Sequence, residues 1–284
     1  MSMKKQIKNK LAFLGFGYVA KHFYETFAYN FECQIISRHR PQQKNVDWQN
    51  INDDFNIETA ITHILISLPP YSLEKDIFTK LSKQIINSSK LLWMGYLSST
   101  SVYGNHDSKW VDENSDLLAK SKIGQERIKS EQLWQSLAQP NNINIFRLAS
   151  IYGYKRSIID RLVKNQIKNK IVKPNHFFSR IHITDIINIL MLSMCSSESG
   201  QIYNLADDHP APNYTLIDFA CLLMNKPILP AVLFDEANLS PMAKVFYMNN
   251  KKVNNKKIKK NLKYNFIFKS YKEGLRYIAK QSTK

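Results

Sequence analysis

Ten residues near the start of the chain, LAFLGFGYVA at 11–20, constrain its fold more than any other stretch. The apolar run from Leu11 to Leu14 reads as a buried strand, and the segment from Tyr18 to about Ala28 reads as a helix. Between them lie Gly15, Phe16 and Gly17. Strand, glycine-rich turn and helix form the front half of a βαβ unit that holds a dinucleotide. Gly15 lets the chain leave the strand in a tight turn. Gly17 has no Cβ, so a pyrophosphate can approach the backbone and the amide N–H groups at Tyr18 and Val19, where the helix begins. Ala20 stands at the third small position of the fingerprint, where a methyl group still permits close packing of helix on sheet. A tight connection alone also favours glycines, so the reading depends on the rest of the chain.

Downstream of this helix the chain keeps alternating between strand and helix. Cys33 to Ser37 (CQIIS) reads as a second strand, and its end is where such a unit meets the adenosine ribose. An acidic residue there would accept from the 2′-hydroxyl of NAD. This chain offers Ser37, Arg38 and Arg40, which suit the 2′-phosphate of NADP. A weak strand signal lies around Val46 to Trp48. Ile61 to Leu68 (ITHILISL) is a buried strand stopped by Pro69 and Pro70, and its end, Leu68 and Pro69, is where a cofactor would lie along the backbone. A helix from Ser72, its N-cap, to about Ile86 leads to a further strand, Leu91 to Leu97. The pattern is that of a doubly wound α/β Rossmann domain over residues 1–153, with a smaller carboxyl-terminal lobe over 154–284. Part of that lobe, about 181–205, is expected to return to the sheet.

Composition sets outer limits. A chain of 284 residues with a 44% hydrophobic share can bury a sizeable core. No apolar run reaches the length of a membrane span, and MSMKKQIKNK lacks the apolar core of a secretory signal. Cys33, Cys195 and Cys221 have no metal-like spacing and read as reduced, buried residues, which suits the cytoplasm. The net charge is +17, and residues 251–284 hold twelve Lys or Arg against one acid, Glu273. That tail interleaves Val253, Ile258, Leu262, Leu275, Tyr277 and Ile278 at spacings that suit helices docked on a core. A solvated basic face is therefore expected there in preference to a nucleic-acid site.

A second informative stretch is LSSTSVYG at 97–104, which crowds hydroxyls at the carboxyl end of a strand. LGFGYVA, YLSSTSVYG, FRLASIYG (146–153), SRIHITDI (179–186) and IYNLADD (202–208) come in the order and spacing of extended short-chain dehydrogenases/reductases. The chain resembles their NAD(P)-dependent epimerase/dehydratase type over nearly its whole length. Its nearest likeness is to an atypical branch that shares the glycine turn but often lacks the usual catalytic residues. The resemblance implies that Ser99 falls at the catalytic hydroxyl, which hydrogen-bonds the substrate's reacting oxygen. It also implies that Gly15, Gly17 and Ala20 form the phosphate turn and that Arg38 contacts the ribose phosphate. The family's Tyr-x-x-x-Lys is missing. With Glu131 as the anchoring glutamate, the lysine position is Arg127 and the tyrosine position is Ile123. Isoleucine cannot ionise; Arg127 keeps the positive charge, as a candidate site residue for the cofactor ribose, but does not exchange a proton near neutrality.

His106 and Asp107, after the serine loop, are candidate acid/base or substrate residues. Arg180 is a candidate anion contact, and His182 a candidate substrate contact at a strand-to-helix junction capped by Thr184 or Asp185. No metal site is expected. The resemblance implies a small-molecule substrate, a sugar nucleotide or another carbonyl/hydroxyl compound, with NADP preferred to NAD. It leaves room for a homodimer. Reaction type stays open among epimerase, dehydratase and reductase, and the alternative is an NADP(H)-binding regulatory or redox-sensing protein without turnover.

Overall fold

The computed structural model describes residues 8–43, 46–70, 75–86, 90–137 and 143–282. In chain order the strands are β1 (Asn9–Leu14), β2 (Phe31–Ser37), β3 (Asp47–Asn50), β4 (His63–Ile66), β5 (Trp93–Ser99), β6 (Trp110–Val111) and β7 (Ile143–Leu148). They continue with β8 (Ser150–Tyr152), β9 (Lys170–Val172), β10 (Arg180–His182), β11 (Ile202–Leu205), β12 (Ala231–Leu233) and β13 (Lys252–Val253). The helices are α1 (Tyr18–Phe27), α2 (Lys75–Ile86), α3 (Lys122–Leu137), α4 (Ile158–Val163), α5 (Ile183–Met194), α6 (Asn213–Leu223), α7 (Pro241–Met248), α8 (Lys256–Asn261) and α9 (Tyr271–Ser282). Among the described residues the main sheet has seven parallel strands in the order β11-β7-β5-β4-β1-β2-β3, with flanking helices. This is the α/β Rossmann architecture that the alternation of strand and helix predicts.

Two compact units divide the chain: Met1–Ser98, Glu126–Phe146 and Ile189–Ile202 in the first, Ser99–Gln125, Arg147–Asn188 and Tyr203–Lys284 in the second. They interleave along the sequence, whereas the sequence pattern suggests one boundary at residue 153.

In the first unit β1 lies between β2 and β4, with Leu14 opposite both Ile36 and Ile66. Both faces of β1 are buried, which is why it reads as an unbroken apolar run. Ala12 and Leu14 join a core with Ile36, Ile64, Ile66, Met94, Tyr96 and Trp134. On the other face Phe13 meets Phe23 and Tyr24 of α1 edge-on, at 6.2 and 6.0 Å between ring centres. The expected helix from Ser72 appears as α2, while Ser72 itself lies outside the described residues. The strand expected at 91–97 runs two residues later, so Ser98 and Ser99 belong to β5.

The second unit has its own core, where α4, α6 and α9 pack through Ile159, Ile217, Ala220, Leu275 and Ile278. A capping box starts α4: the Ser157 hydroxyl accepts from the Asp160 N–H, and the Asp160 carboxylate accepts from the Ser157 N–H. Val253, Ile258 and Leu262 of the basic tail are buried as well, while Tyr277 is 46% exposed. The tail is thus folded onto its unit, with most of its cations on the outside. Asp185 does not cap α5. Its buried carboxylate accepts from Tyr264 Oη (2.7 Å) and from the N–H groups of Ile267 (2.8 Å) and Phe268 (3.2 Å), fastening the tail. The cysteines also differ from expectation: all three are unbridged, but Cys221 alone is buried, Cys33 is half-buried and Cys195 is exposed. Cys195 sits in the turn that ends α5, with its N–H on Leu192 O, where the chain has left the core. Among the described residues no helix is long and apolar enough to cross a membrane.

Candidate active site

The carboxyl ends of β1, β2 and β4 stand side by side in the first unit, and Gly15 joins all three. Its N–H donates to Ile36 O (2.8 Å), its carbonyl accepts from Ser67 Oγ (2.9 Å), and Ser67 N–H donates to Leu14 O (2.8 Å). Gly15 has φ +83°, and a Cβ there would lie 3.0 Å from Ser67 Oγ and 3.1 Å from Leu68 N. The fold itself therefore requires this glycine. Gly17 is different. Its φ is −81°, a conformation open to any residue, and a Cβ there would meet nothing within 4 Å. Among the described residues neither space nor backbone conformation requires a glycine here, although an N-cap favours glycine over apolar side chains.

Gly17 is also the N-cap of α1, and no side chain caps that helix. The N–H groups of its first turn are the kind that bind a phosphate oxygen. Ala20, at 0% exposure, and Val19 pack inward, as close helix-on-sheet contact demands. Leu68 is buried and Pro69 half-buried beside the turn. These residues fit a dinucleotide pyrophosphate.

At the end of β2, Ser37 is buried and its hydroxyl is engaged locally: it donates to His39 O (2.8 Å) and accepts from Trp48 Nε1 (3.0 Å). Arg38 is exposed and makes no ion pair among the described residues, and Arg40 lies 5.9 Å from the Trp48 ring. Of the basic and hydroxyl groups read at this strand end, the arginines are the ones free to meet a ligand. Arg127 is half-buried on α3. One of its terminal nitrogens donates to Leu97 O and to Tyr96 Oη, both at 3.1 Å, while its Nε is buried without a partner. Glu131 accepts a short hydrogen bond from the Ser98 hydroxyl. Ile123, one turn before Arg127, is 52% exposed.

The second unit contains a cavity of about 140 Å³. Ser99, Thr100 and Ser101 line it where β5 gives way to a 3₁₀ turn, and Ser150 and Ser179 add hydroxyls. Ser99 Oγ accepts from the Ser101 N–H at 3.1 Å, which leaves its O–H able to donate. Phe177, Phe178 and Phe246 form an apolar wall, the last two rings stacked at 4.6 Å. The cavity's charged group is Lys251, which sequence reasoning did not single out. Its side chain is buried, with Nζ donating to Gly104 O at 3.0 Å. Loss of hydration pulls its pKa down to about 8. Behind the wall His176 is buried with neither ring nitrogen partnered, and burial, with the charges of Lys173 and Lys251, pulls it down to about 4. No carboxylate lines the cavity among the described residues.

The other predicted contacts lie elsewhere in this unit. Arg180 is buried, with its guanidinium on Phe178 O (2.9 Å), Ala211 O (3.0 Å) and Asn213 Oδ1 (3.3 Å). His182 Nδ1 accepts from the Thr184 N–H at 3.2 Å, at the start of α5. His106 Nε2 lies 3.2 Å from Asp116 O, and Asp107 accepts from Asn105 Nδ2 at 2.6 Å. None of these four lines the cavity. The ordered motifs meet in a buried network instead. Tyr103 Oη donates to Asn204 Oδ1 (2.7 Å) and accepts from Arg147 (3.0 Å), while the Asn204 N–H donates to Glu113 (2.7 Å). Burial pushes the Tyr103 phenol up to about 12, and Asn204 and Arg147 hold its oxygen. Among the described residues no cluster of His, Cys, Asp or Glu has a metal-binding arrangement.

No family model matches this chain, and no curated protein does. Solved structures do match. A functionally unknown conserved protein from Silicibacter pomeroyi is 35% identical, with 96% of this chain and 99% of that one covered and a TM-score of 0.90. The dTDP-glucose 4,6-dehydratase of Bacillus anthracis, in complex with NAD, is 13% identical, with coverage of 98% and 97% and a TM-score of 0.72. The human epimerase family protein SDR39U1, with NADPH, is 13% identical, with coverage of 95% and 99% and a TM-score of 0.71.

Proposed function

For a chain that belongs to one family with the Silicibacter pomeroyi protein and has the extended short-chain dehydrogenase/reductase fold, we propose an NADP(H)-dependent reaction on a carbonyl or hydroxyl compound. The first unit holds the cofactor and the second the substrate. The observation that carries this reading is Gly17: a glycine that neither space nor φ requires, at a helix start whose N–H groups no side chain caps. The turn and the helix N–H groups would hold the pyrophosphate, and Arg38 the 2′-phosphate, with no acid at that strand end to favour NAD. The cofactor, when bound, supplies hydride exchange. The protein's part is to seat the substrate oxygen at Ser99, in a cavity walled by phenylalanines.

Sugar nucleotides are the substrate class to test first, because dTDP-glucose is named for the Bacillus anthracis relative. Ordinary epimerase or dehydratase activity should be very weak, since Ile123 replaces the ionisable phenol and general acid–base catalysis contributes roughly 10²–10⁴-fold. Calorimetric titration with NADPH, NADP, NADH and NAD tests the cofactor. Binding of none of them would end this reading. A second reading, an NADP(H) sensor without turnover, is favoured by Arg127, whose bonds to Tyr96 and Leu97 give the helix a structural use for the cation. Hydride exchange with a panel of sugar nucleotides and simple ketones separates the two. In either case we place the protein in the cytoplasm, with reduced cysteines.

A further inference from the structure

We infer that Lys251 and Ser99 make the cavity of the second unit an oxygen-binding site, in which Lys251 holds the proton that is exchanged with the ligand's oxygen. This rests on the reading of that cavity as the substrate site, and it supplies the acid/base that α3 lacks.

The placement of Lys251 is fixed from both sides. The preceding residue, Asn250, ties three stretches of chain together. Its N–H donates to Asn105 Oδ1 (3.0 Å), its Oδ1 accepts from the Phe177 N–H (3.0 Å), and its Nδ2 donates to Ser108 Oγ and Asn175 O (both 2.8 Å). The next two residues form β13, parallel to β6, and the Val253 N–H donates to Ser179 Oγ (3.0 Å). With the backbone held in this way, the side chain reaches Gly104, the last residue of the LSSTSVYG motif that contains Ser99. One carbonyl engages one of the three hydrogens of an ammonium. The remaining donors belong to a buried group, and no carboxylate pairs with it among the described residues. The ionisable neighbour coupled to it is His176, which is neutral and also feels Lys173.

A buried cation without an anion is costly to maintain, and such a group is commonly found where a ligand completes it. The cavity's donors and its lack of acids select an electron-rich oxygen, of a carbonyl, an alkoxide or a carboxylate. The transfer balances in itself. As charge gathers on the oxygen, one N–H bond of Lys251 breaks, one O–H bond forms, and the nitrogen keeps the electron pair. The reverse transfer takes a proton from a hydroxyl.

The test titrates the whole native chain carrying ¹⁵N-labelled lysine, tracking the Nζ resonances by NMR and assigning Lys251 by its loss in Lys251→Arg. The expected midpoint is near 8, well below the ordinary lysine value of 10.5. Acetate is the oxygen probe, with chloride at equal ionic strength as control. It should raise that midpoint by roughly one unit, because a bound anion favours the charged form. Ser99→Ala, which leaves Lys251 in place, should weaken the acetate effect several-fold. A midpoint above 10, or a midpoint that acetate does not move, overturns the inference. Neither arm uses the dinucleotide, so failure to bind NADPH in the calorimeter would count against the proposed function and leave this result to stand or fall by itself.

Discussion

The glycine turn of the first unit and the cavity of the second each carry a residue that packing alone does not dictate. At Gly17 it is a missing side chain beside open space. At Lys251 it is a charge buried among hydroxyls and phenyl rings. The first costs the folded state little beyond the entropy of a glycine, while the second carries a desolvation penalty in every folded molecule. On the proposed readings, a ligand would occupy open space at the turn and would offset a buried charge in the cavity.

The largest effect should separate Gly17 from its neighbour Gly15. Gly17→Val should weaken dinucleotide binding by roughly a hundredfold or more, equivalent to about 2.7 kcal/mol, with only the modest loss of stability that a poorer N-cap brings. Gly15→Val should instead lose the fold, because of its positive φ and the 3.0–3.1 Å contacts a Cβ would make. Calorimetry and thermal melts on both variants check this, and equal loss of stability in the two would remove the distinction.

Next comes the charge. Lys251 has its pKa lowered from 10.5 to about 8 in the folded chain. Below about pH 8 it is protonated in both folded and unfolded states, so the cost of burying the cation is fully present. Between about 8 and 10.5 the unfolded chain binds more protons, so this contribution to stability rises with pH. Above that range the penalty is gone. Lys251→Met should therefore be more stable than the native chain at pH 7, by about 1–3 kcal/mol, with the gain vanishing near pH 10.5. Urea unfolding at the two pH values measures it. A less stable variant at pH 7 would make Lys251 a net structural asset.

A smaller difference is expected at the ribose. Arg38→Ala should erase most of the preference for NADP over NAD, worth roughly 1.5–3 kcal/mol or ten- to a hundredfold in affinity. Competitive titration reads it, and a native chain without the preference would leave Arg38 as a surface residue. The smallest effect should come from Ile123→Tyr, which changes a half-exposed side chain and should alter stability by less than about 0.5 kcal/mol. Any rise in hydride exchange in that variant would show that α3 presents this face to a bound cofactor.

The two regions also differ in how openly the sequence declares them. The turn is local: strand, glycines and helix lie within twenty residues, and periodicity plus backbone chemistry suffices to read them. The burial of Val253, Ile258, Leu275 and Ile278 was legible for the same reason, from spacing. Lys251 is one of twelve cations in its segment, and nothing nearby in sequence says which of them is inside. What buries it is Asn250's bonds to residues 105–108 and 175–177, long-range pairings that no local pattern reveals. Asp185 is one of two residues, with Thr184, that read as a helix cap, because its partners, Tyr264, Ile267 and Phe268, lie some eighty residues away. The bonds of Arg127 to β5 are hidden in the same way.

The folded basic tail gives this protein a built-in clock for its own opening. Trypsin cleaves after lysine and arginine, so the stretch from α8 to α9 is dense in sites that chemistry would favour. Cleavage also needs the backbone to thread the protease in extended form, and here that backbone is helical or fastened by the Asp185 carboxylate, with Ile258 and Leu275 beneath it. When opening and closing are fast compared with cutting, the nicking rate reports the population of the opened segment. Timed digestion, with cut sites located by mass spectrometry, would then track the loosening of this one region as pH or ligand is varied, without any probe attached to the chain.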